Sequence, residues 1–344
     1  MFFNDNRSIE SSKNILPNID NFKFEMINKN ILLNDQKLLS EIFTIFASCH
    51  YRNSPNDLKI LLDSKKQYVF VLKDLQGNIC TVIQAAVEGG IDLNQSTKEG
   101  NLISWMLYNI TNNVELSKCY GLRIVRIATR IELQSKGYGS KIMKELELLV
   151  KSDISLKIFK RKISWIGVSF GLSEPLLRFW NKLNFLPIKI NNKISEKTGE
   201  FNIICIKGID MSFDDICKQN LYKFINQCGL CYRTLPISLI LTFIYTCNQK
   251  LDYNEVLTSK EIEDMNLVIK GDTDLNNFLY LIPKITRICF YNIYDGNLNV
   301  IEQAVLAGVG LQMKSINEVA KEINYSSMGI IRLFQEIFKK ILKK

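Results

Sequence analysis

Residues 122–150 read LRIVRIATRIELQSKGYGSKIMKELELLV and combine three local patterns in one stretch. The apolar, β-branched run over residues 124–129 predicts a strand. A polar turn with two glycines, Gly137 and Gly139, follows it, and apolar residues then recur at helical spacing over residues 141–150. The first turn of a helix leaves backbone N–H groups unpaired and carries the positive end of the helix dipole. The stretch therefore predicts a turn that binds a pyrophosphate.

Three known sequence patterns could account for such a turn. The Walker A pattern is excluded because no Gly-Lys-Ser/Thr follows the glycines. The dinucleotide pattern is excluded because the third glycine and the later acidic residue are missing. The pattern Q-x-x-G-x-G is present at Gln134, Gly137 and Gly139, and it resembles the acetyl-CoA loop of the GNAT acetyltransferases. A Gly-x-Gly turn can also be ordinary loop geometry, so the motif alone leaves both interpretations open.

Length and composition limit the class of protein. The chain has 344 residues, which suits two domains and supplies ample material for a core. Hydrophobic residues make up 47% and charged residues 23%, as in ordinary soluble globular chains. The net charge of +9 suggests an anionic partner such as RNA or a phosphorylated cofactor. A basic surface without a special partner explains the charge equally well.

Cysteine usage and hydropathy give three expected absences. Nine cysteines are dispersed through apolar stretches, as buried thiols in a reducing compartment would be. The close pair Cys228 and Cys231 has no second pair and no nearby histidine, so we predict no metal site. The polar start of the chain predicts no signal peptide. The apolar run over residues 235–247 is too short to span a bilayer and predicts a buried helix.

The part of the chain before residue 210 mixes strand and helix patterns and predicts one α+β domain. Its first thirty or so residues are polar, and we expect them to be partly disordered or to form a loose strand. The further expected elements are a helix over 35–51, a short helix at Pro55 capped by Ser54, an antiparallel strand pair over 68–72 and 79–86, an irregular polar insertion over 88–120, a strand over 163–170, a helix capped by Ser173, and a hairpin of 185–190 with 201–206.

From about residue 210 onward, helical patterns dominate and strand patterns vanish. Ser315 and Glu318 have the spacing of a capping box, and residues 329–344 are amphipathic. That last segment also carries basic residues, for which a solvated face is the default and an RNA contact the alternative: Arg332, Lys339, Lys340, Lys343 and Lys344. We therefore predict a polar segment over 1–30, an α+β domain over 31–209 and a helical domain over 210–344.

Several separate segments together resemble the carboxy-terminal part of the RNA cytidine acetyltransferases, which make N4-acetylcytidine in 18S ribosomal RNA and in tRNA. These segments are HYRNSPNDL at 50–58, VIQ at 82–84, RIVRIA at 123–128, Gln134 with GYGS at 137–140, GVSFGL at 167–172, FW at 179–180, TGE at 198–200, IP at 282–283, RI at 287–288 and GVGLQ at 308–312. The resemblance covers nearly the whole chain after about residue 20. It implies a GNAT fold, with a mixed central sheet flanked by helices, followed by a mostly helical domain of RNA-binding type.

The family's full-length members also carry a helicase module that uses ATP, and no GxxxxGK[ST] motif for it occurs in this sequence. The chain is thus either a fragment or a gene reduced to its acetyltransferase half. ATP is expected for the full-length family, with no site for it here. The cofactor that the resemblance implies for this part is acetyl-CoA.

The resemblance also implies which residues hold acetyl-CoA. The backbone of Ile127, Ala128 and Thr129 is expected along the pantetheine and the thioester. Lys182 would contact the cofactor or cap the end of a helix. The pyrophosphate would be held by backbone N–H groups of the turn, with Lys136 adding charge: Gln134, Ser135, Lys136, Gly137, Tyr138, Gly139 and Ser140.

Two residues are catalytic candidates. His50 is the only histidine, and it stands where the family carries a required histidine, so we predict that it is the general base. Arg126 lies mid-strand among apolar residues, which is unfavourable unless the charge is paired. A structural ion pair is one interpretation, and orientation of the RNA or the cofactor is the other. Trp180 stands where many GNAT enzymes have a tyrosine acid, so water is expected to protonate the leaving thiolate.

The chain departs from the family's usual residues at five positions of the turn. Arg130 and Ile131 replace His-Pro, Glu132 replaces Asp, and Ser135-Lys136 replaces Gly-Met. Both glycines that must approach the phosphates are kept. We therefore predict that cofactor binding survives these changes.

The favoured function is an RNA cytidine N4-acetyltransferase that uses acetyl-CoA on 18S rRNA or tRNA and serves ribosome biogenesis. By resemblance, we expect it in the nucleus and nucleolus, without a membrane. A protein or small-amine acetyltransferase and an inactive pre-ribosome assembly module are the alternatives. RNA is the expected macromolecular partner, and a separate helicase chain, an RNA adaptor protein and a second copy of the chain are further candidates.

Overall fold

A computed structural model describes residues 21–49, 55–92, 100–196, 198–251, 256–291 and 298–343. The strands of this part are β1 (Lys23–Ile27), β2 (Gln67–Lys73), β3 (Ile79–Glu88), β4 (Tyr120–Thr129), β5 (Ile163–Gly171), β6 (Leu186–Ile194) and β7 (Phe201–Gly208). The helices up to the last strand are α1 (Lys29–Asn34), α2 (Gln36–Cys49), α3 (Pro55–Asp63), α4 (Leu102–Thr111), α5 (Val114–Lys118), α6 (Tyr138–Lys151), α7 (Ile154–Phe159) and α8 (Glu174–Lys182).

After β7 the described chain is helical. The helices are α9 (Asp214–Cys231), α10 (Ile237–Cys247), α11 (Ser259–Lys270), α12 (Leu281–Tyr291), α13 (Val300–Val305), α14 (Ile316–Glu322) and α15 (Ser327–Leu342). A π-helical segment, Leu306–Leu311, continues directly from α13. The predicted change from mixed structure to helices near residue 210 is confirmed.

The seven strands of the described part form a sheet in the order β1-β2-β3-β4-β5-β7-β6. Strands β1, β2 and β3 pair antiparallel, with Val71 opposite Val82 in the second pair. Strand β7 pairs antiparallel with both β5 and β6, so the predicted hairpin is present. A mixed sheet flanked by helices, followed by a helical region, confirms the predicted fold class.

The chain divides into two compact units, and the first comprises residues 1–87 with 123–161. Its core is one cluster of buried apolar residues, to which α2 contributes Ile42, Ile45 and Phe46. Ala128 of β4 belongs to the same cluster. Full burial of one such large apolar side chain contributes about 1.5–3 kcal/mol, so this cluster fixes where the end of β4 lies.

The second unit comprises residues 88–122 with 162–344. One of its apolar clusters joins Ile103 and Leu107 of α4 to Trp165 of β5. Helix α10 buries most of its side chains, as predicted for residues 235–247, and the Ser315–Glu318 capping box at the start of α14 is present. Among the described helices, none is both long and apolar enough to cross a membrane.

Three local predictions need correction. Residues 88–120 were expected to be irregular, yet they include α4 and α5, because the largely apolar stretch over 102–111 lets α4 bury Ile103 and Leu107. The helix of the glycine turn begins at Tyr138 rather than at residue 141, since the backbone of the turn already has helical geometry there. Ser173 precedes α8, but its side chain accepts no capping hydrogen bond.

Other predictions fall partly outside the described residues. Within the segment over 1–30, residues 1–20 are outside them, and β1 begins at Lys23. The proposed cap Ser54 is also outside, although α3 does begin at Pro55. The domain bounds at 30 and 209 stay a prediction.

Candidate functional site

The glycine turn has the geometry that an anion site requires. Gly137 lies directly before α6 with φ of 91°, a left-handed conformation that side chains disfavour. The Lys141 N–H donates to the Gly137 carbonyl at 2.9 Å. Helix geometry leaves the preceding amides of Gly139 and Ser140 without an intrahelical acceptor. The first turn of α6 contains no acidic residue, so the positive end of its dipole stays available to an anion.

The loop before Gly137 is organised by its own backbone. A 3-10 turn, Ile131–Leu133, buries Leu133 beneath it. The Lys136 ammonium donates to the Glu132 carbonyl at 2.6 Å, which holds its charge on this exposed loop. A contribution of Lys136 to an anion site stays a prediction.

The carboxyl end of β4 meets the loop at the Thr129 carbonyl. This oxygen accepts hydrogen bonds from the Gln134 side-chain amide at 3.1 Å and from the Cys49 thiol at 3.2 Å. The Thr129 and Thr81 hydroxyls lie 3.1 Å apart. Since a carbonyl has two lone pairs, a ligand amide that bonds here would replace one of the two donors.

Cys49 was missed as a site residue. It is exposed, it ends α2, and it also accepts from the Gln134 amide at 3.3 Å. Its position directly before the HYRNSPNDL segment was the one available sequence signal. The thiol fixes the end of α2 against the end of β4.

Arg126 has a partner, as its buried position required. Its guanidinium donates to the Asp57 carboxylate at 2.8 Å, and the Arg126 side chain is only 11% exposed. The same group lies 5.9 Å from the centre of the Phe46 ring. The pair fastens α3 to β4 and supports the structural interpretation. A role of Arg126 toward RNA or cofactor stays a prediction.

The substitution at Arg130 has a structural explanation. Its guanidinium pairs with the Glu41 carboxylate and donates to the Ile79 carbonyl, both at 2.5 Å. Its backbone N–H donates to the Cys80 carbonyl at 3.0 Å. Burial, with a smaller contribution from Asp74, raises the pKa of the Cys80 thiol to about 11. Arg130 therefore links the end of β4 to α2 and β3.

The other substitutions in the loop differ in their effect. Ile131 and Glu132 are exposed, and nothing in the structure explains these two changes. Ser135 adopts φ of 59°, the left-handed region in which the family's usual glycine is unstrained. The serine thus strains the loop backbone while Gly137 keeps its conformation.

The roles predicted for all the site residues, including His50 and Lys182, stay predictions. His50 lies outside the described residues, so its role as a base stays a prediction. Lys182 is exposed at the last residue of α8, in the second unit. Trp180 is buried against Phe170, Phe179 and Phe185, which makes it part of the packing around α8.

The backbone expected along the cofactor is partly buried. Ala128 lies in the core of the first unit, and Ile127 is half-buried. Within the described ranges, no group of three or more His, Cys, Asp or Glu residues could hold a metal ion. Burial raises the pKa of the Cys228 thiol to about 12, so this cysteine stays protonated at neutral pH.

The helical region contains a second glycine motif, Gly308 and Gly310, which lies in the π-helical segment. A Cβ at Gly308 would lie 2.7 Å from a Val319 methyl, and one at Gly310 would lie 1.9 Å from the Thr286 hydroxyl. These glycines allow close packing of the segment against its neighbours.

Many basic side chains of the helical region are neutralised within the fold. Lys340 pairs with Glu302 at 2.7 Å, and Lys339 pairs with Glu336 at 2.8 Å. Both lysines belong to the basic set for which an RNA contact was considered. Their pairing favours the solvated, structural interpretation of that face.

Comparison with known protein families divides the chain in two. The family model described as GNAT acetyltransferase 2 matches residues 41–158 and 155–210. The model described as "Possible tRNA binding domain" matches residues 245–344. The first match contains the glycine turn, and the second contains the π-helical segment.

Curated relatives match across both parts. The RNA cytidine acetyltransferase of Homo sapiens is 26% identical, over 89% of this chain and 37% of the relative. A tRNA(Met) cytidine acetyltransferase of Saccharolobus solfataricus is 26% identical, over 94% of this chain and 43% of the relative. One from Methanopyrus kandleri is 32% identical over 54% of this chain and 22% of the relative. The chain thus spans less than half the length of these relatives.

Proposed function

This chain belongs to the RNA cytidine acetyltransferase family, and on that premise we propose that it transfers acetyl from acetyl-CoA to the exocyclic amine of cytidine in RNA. One observation carries the proposal: the acetyltransferase match at residues 41–210 is followed by the tRNA-binding match at residues 245–344. An enzyme that acetylates RNA needs both a coenzyme site and an RNA-binding surface. The acetyltransferase match corresponds to the first of these parts, and the tRNA-binding match corresponds to the second.

The turn before α6 supports acetyl-CoA as the acetyl donor. The left-handed Gly137 precedes a helix whose first amides, at Gly139 and Ser140, have no intrahelical acceptor and can donate to an anion. Lys136 adds a positive charge on the same loop. These groups fit the diphosphate of coenzyme A. The Thr129 carbonyl fits the role of an acceptor for an amide of the pantetheine.

The reaction defines what the protein must do. The cytosine amine is a weak nucleophile because its lone pair is conjugated with the ring. The protein must hold this amine against the thioester carbonyl, stabilise the oxyanion that forms, and remove a proton from the nitrogen. A bond from N4 to the acetyl carbon forms, the bond from carbon to sulfur breaks, His50 takes the amine proton, and water protonates the thiolate.

The RNA substrate, the cellular process, the location and the partners are more specific parts of the proposal. We place the activity on 18S rRNA or tRNA, in ribosome biogenesis, and in the nucleus and nucleolus. A helicase chain or an RNA adaptor would assist in trans, with ATP used by the helicase, and a homodimer is the proposed oligomer. The relatives' names support cytidine in RNA as the acceptor, and a tRNA(Met) substrate belongs to the relative that carries that name.

The direct test is product analysis. The chain is incubated with acetyl-CoA and an unmodified tRNA transcript or 18S rRNA fragment, with and without ATP. The RNA is then hydrolysed to nucleosides for mass spectrometry. We expect N4-acetylcytidine. Acetylated peptide or polyamine without any acetylated nucleoside would instead indicate an amine acetyltransferase.

A variant identifies the base. His50→Ala is expected to reduce product formation about 100-fold or more while acetyl-CoA still binds, because general base catalysis contributes about 10²–10⁴-fold. Calorimetry with acetyl-CoA is the control for binding. Unchanged product formation in this variant would remove His50 from the mechanism.

A further inference from the structure

The second unit contains a cavity of about 140 Å³ between β6 and α9 that the proposed function does not use. Its polar lining consists of Lys189 and Asn192 from β6, Asn220, Lys223 and Gln227 from α9, and Tyr232 directly after α9. Its volume is below the roughly 300–1,000 Å³ of sites that enclose a whole small molecule, and it far exceeds the space of one water. The cavity therefore fits a single chemical group of a larger ligand.

The charged side chains that line this cavity are all basic. Lys189 and Lys223 both line it, and no acidic residue does. Across the described ranges, neither lysine has a carboxylate within ion-pair distance, whereas Lys284, Lys314 and Lys340 are paired at 2.6–2.7 Å. Two like charges beside one small cavity repel each other, and an anion between them relieves that repulsion.

The remaining lining is fixed and rich in donors. Asn220 is 7% exposed and donates to the Pro187 carbonyl at 3.2 Å, which ties α9 to the start of β6. The rings of Phe224 and Tyr232 stack with centres 4.9 Å apart and form an apolar floor. Burial raises the pKa of Tyr232, so its hydroxyl stays neutral and can donate. The amides of Asn192 and Gln227 add further donors at the rim.

We infer that this cavity binds a phosphate group of the RNA backbone between Lys189 and Lys223. The inference rests on the proposed function, because it takes RNA as the anionic partner. The lysine ammonium is a compact positive charge that binds a phosphate without contacting the nucleotide base. The contact therefore fixes the position of the RNA on the second unit and leaves sequence selection to other residues. Acetyl-CoA offers the same phosphate chemistry, so the test includes it.

The experiment measures binding without turnover. A fluorescein-labelled, unmodified tRNA transcript is titrated by anisotropy with the full chain, without acetyl-CoA, from about 50 to 200 mM NaCl. The variant is Lys189→Gln with Lys223→Gln. The matched control is Lys193→Gln, an exposed lysine on the same strand that does not line the cavity. Thermal unfolding midpoints show that each variant folds.

We expect the double variant to bind tRNA about tenfold more weakly, with the slope of log K against log salt reduced by about 1–2, whereas the control stays near wild type. Acetyl-CoA affinity, measured by calorimetry, stays unchanged. Equal tRNA binding by the double variant and the control overturns the inference, as does a chain that binds no tRNA. A loss of acetyl-CoA affinity would assign the cavity to the coenzyme and overturn it too.

The two proposals fail separately. Lysine-dependent tRNA binding without N4-acetylcytidine formation would overturn the proposed function and keep the phosphate site. N4-acetylcytidine formation that is indifferent to both lysines would keep the function and overturn the site.

Discussion

The chain contains two Gly-x-Gly motifs that look alike in sequence and serve opposite physical purposes. At Gly137 and Gly139, the motif gives the backbone a left-handed residue, with φ of 91°, just before a helix begins. At Gly308 and Gly310, the motif lies inside a π-helical segment and is fully buried. The first pair leaves backbone N–H groups at a helix start without an intrahelical acceptor, where we propose that the coenzyme binds, and the second removes side chains so that helices can touch.

The comparison teaches that a glycine motif has to be interpreted from what surrounds it. The first motif follows a strand and precedes a helix, which is the arrangement that exposes amides. The second is surrounded by buried apolar residues (Leu306, Ala307, Val309 and Leu311), so its glycines serve the close packing of the segment against its neighbours. A substitution should therefore damage ligand affinity at the first motif and folding at the second.

The largest expected effect is at the packing motif. Gly310→Val should lower the free energy of unfolding by about 3 kcal/mol, the upper end of the roughly 1–3 kcal/mol that overpacking a dense core costs. A Cβ there would lie 1.9 Å from the Thr286 hydroxyl and 2.6 Å from its Cβ. Urea unfolding gives the measurement.

A second substitution tests the cause of that loss. Thr286→Gly in the same chain removes the contacted atoms and should recover part of the stability. An unchanged unfolding midpoint for Gly310→Val would show that the segment packs less tightly than the structure indicates.

The ligand motif should respond in affinity. Gly137→Ala is expected to weaken acetyl-CoA binding about tenfold, or about 1.4 kcal/mol, by calorimetry, because an alanine disfavours the conformation that aims the amides. Gly77→Ala is the matched control, since Gly77 has φ of 89° in an open turn with nothing within 4 Å of its Cβ. Both variants strain the backbone equally. If both leave acetyl-CoA affinity unchanged, the turn is ordinary loop geometry.

A smaller effect, on stability, is expected from a substitution at Ser135 in the same turn. Ser135→Gly should raise the free energy of unfolding by about 0.5–1 kcal/mol, because relief of left-handed strain exceeds the added freedom of the unfolded chain. Ser135 has φ of 59°. Thermal unfolding at several scan rates checks it. A decrease in stability would mean that the serine side chain makes a contribution that outweighs the strain.

The smallest effect concerns the helical region and appears only in acid. Bonds from the Ser315 backbone and hydroxyl, and then from Arg233, lower the pKa of Glu318 from 4.5 to about 2. The stability that its charged form contributes is present above pH 4.5 and is lost as pH falls toward 2. The unfolding temperature of Glu318→Gln should thus lie below wild type at pH 6, with the difference shrinking on acidification. A constant difference would contradict the assignment.

Local patterns in the sequence predicted the parts of the fold that depend on near neighbours. The strand, turn and helix around Gly137 and the capping box at Ser315 follow from spacing within a few residues. The helix α4 was missed because polar segments flank its largely apolar sequence, LISWMLYNIT over 102–111, on both sides.

The contacts of the candidate site depend on residues far apart in sequence. Arg126 and Asp57 are separated by 69 positions, and Arg130 and Glu41 by 89. The unfavourable burial of a charge predicted that Arg126 needs a partner, yet nothing local identified Asp57. The place of Cys49 next to the HYRNSPNDL segment did not identify its partner, because its hydrogen bond to Thr129 spans 80 positions. Such pairs appear only when the chain is folded.

One buried side chain determines how the helical part can be handled in the laboratory. The Gln312 amide donates to the carbonyls of Tyr232, Arg233 and Leu235 at 2.7–3.2 Å. These acceptors precede residue 245, where the match to the tRNA-binding family begins. A recombinant fragment trimmed to that match would strip Gln312 of its acceptors and leave a buried amide unsatisfied. Fragments for RNA-binding work should therefore start ahead of α9, near residue 210.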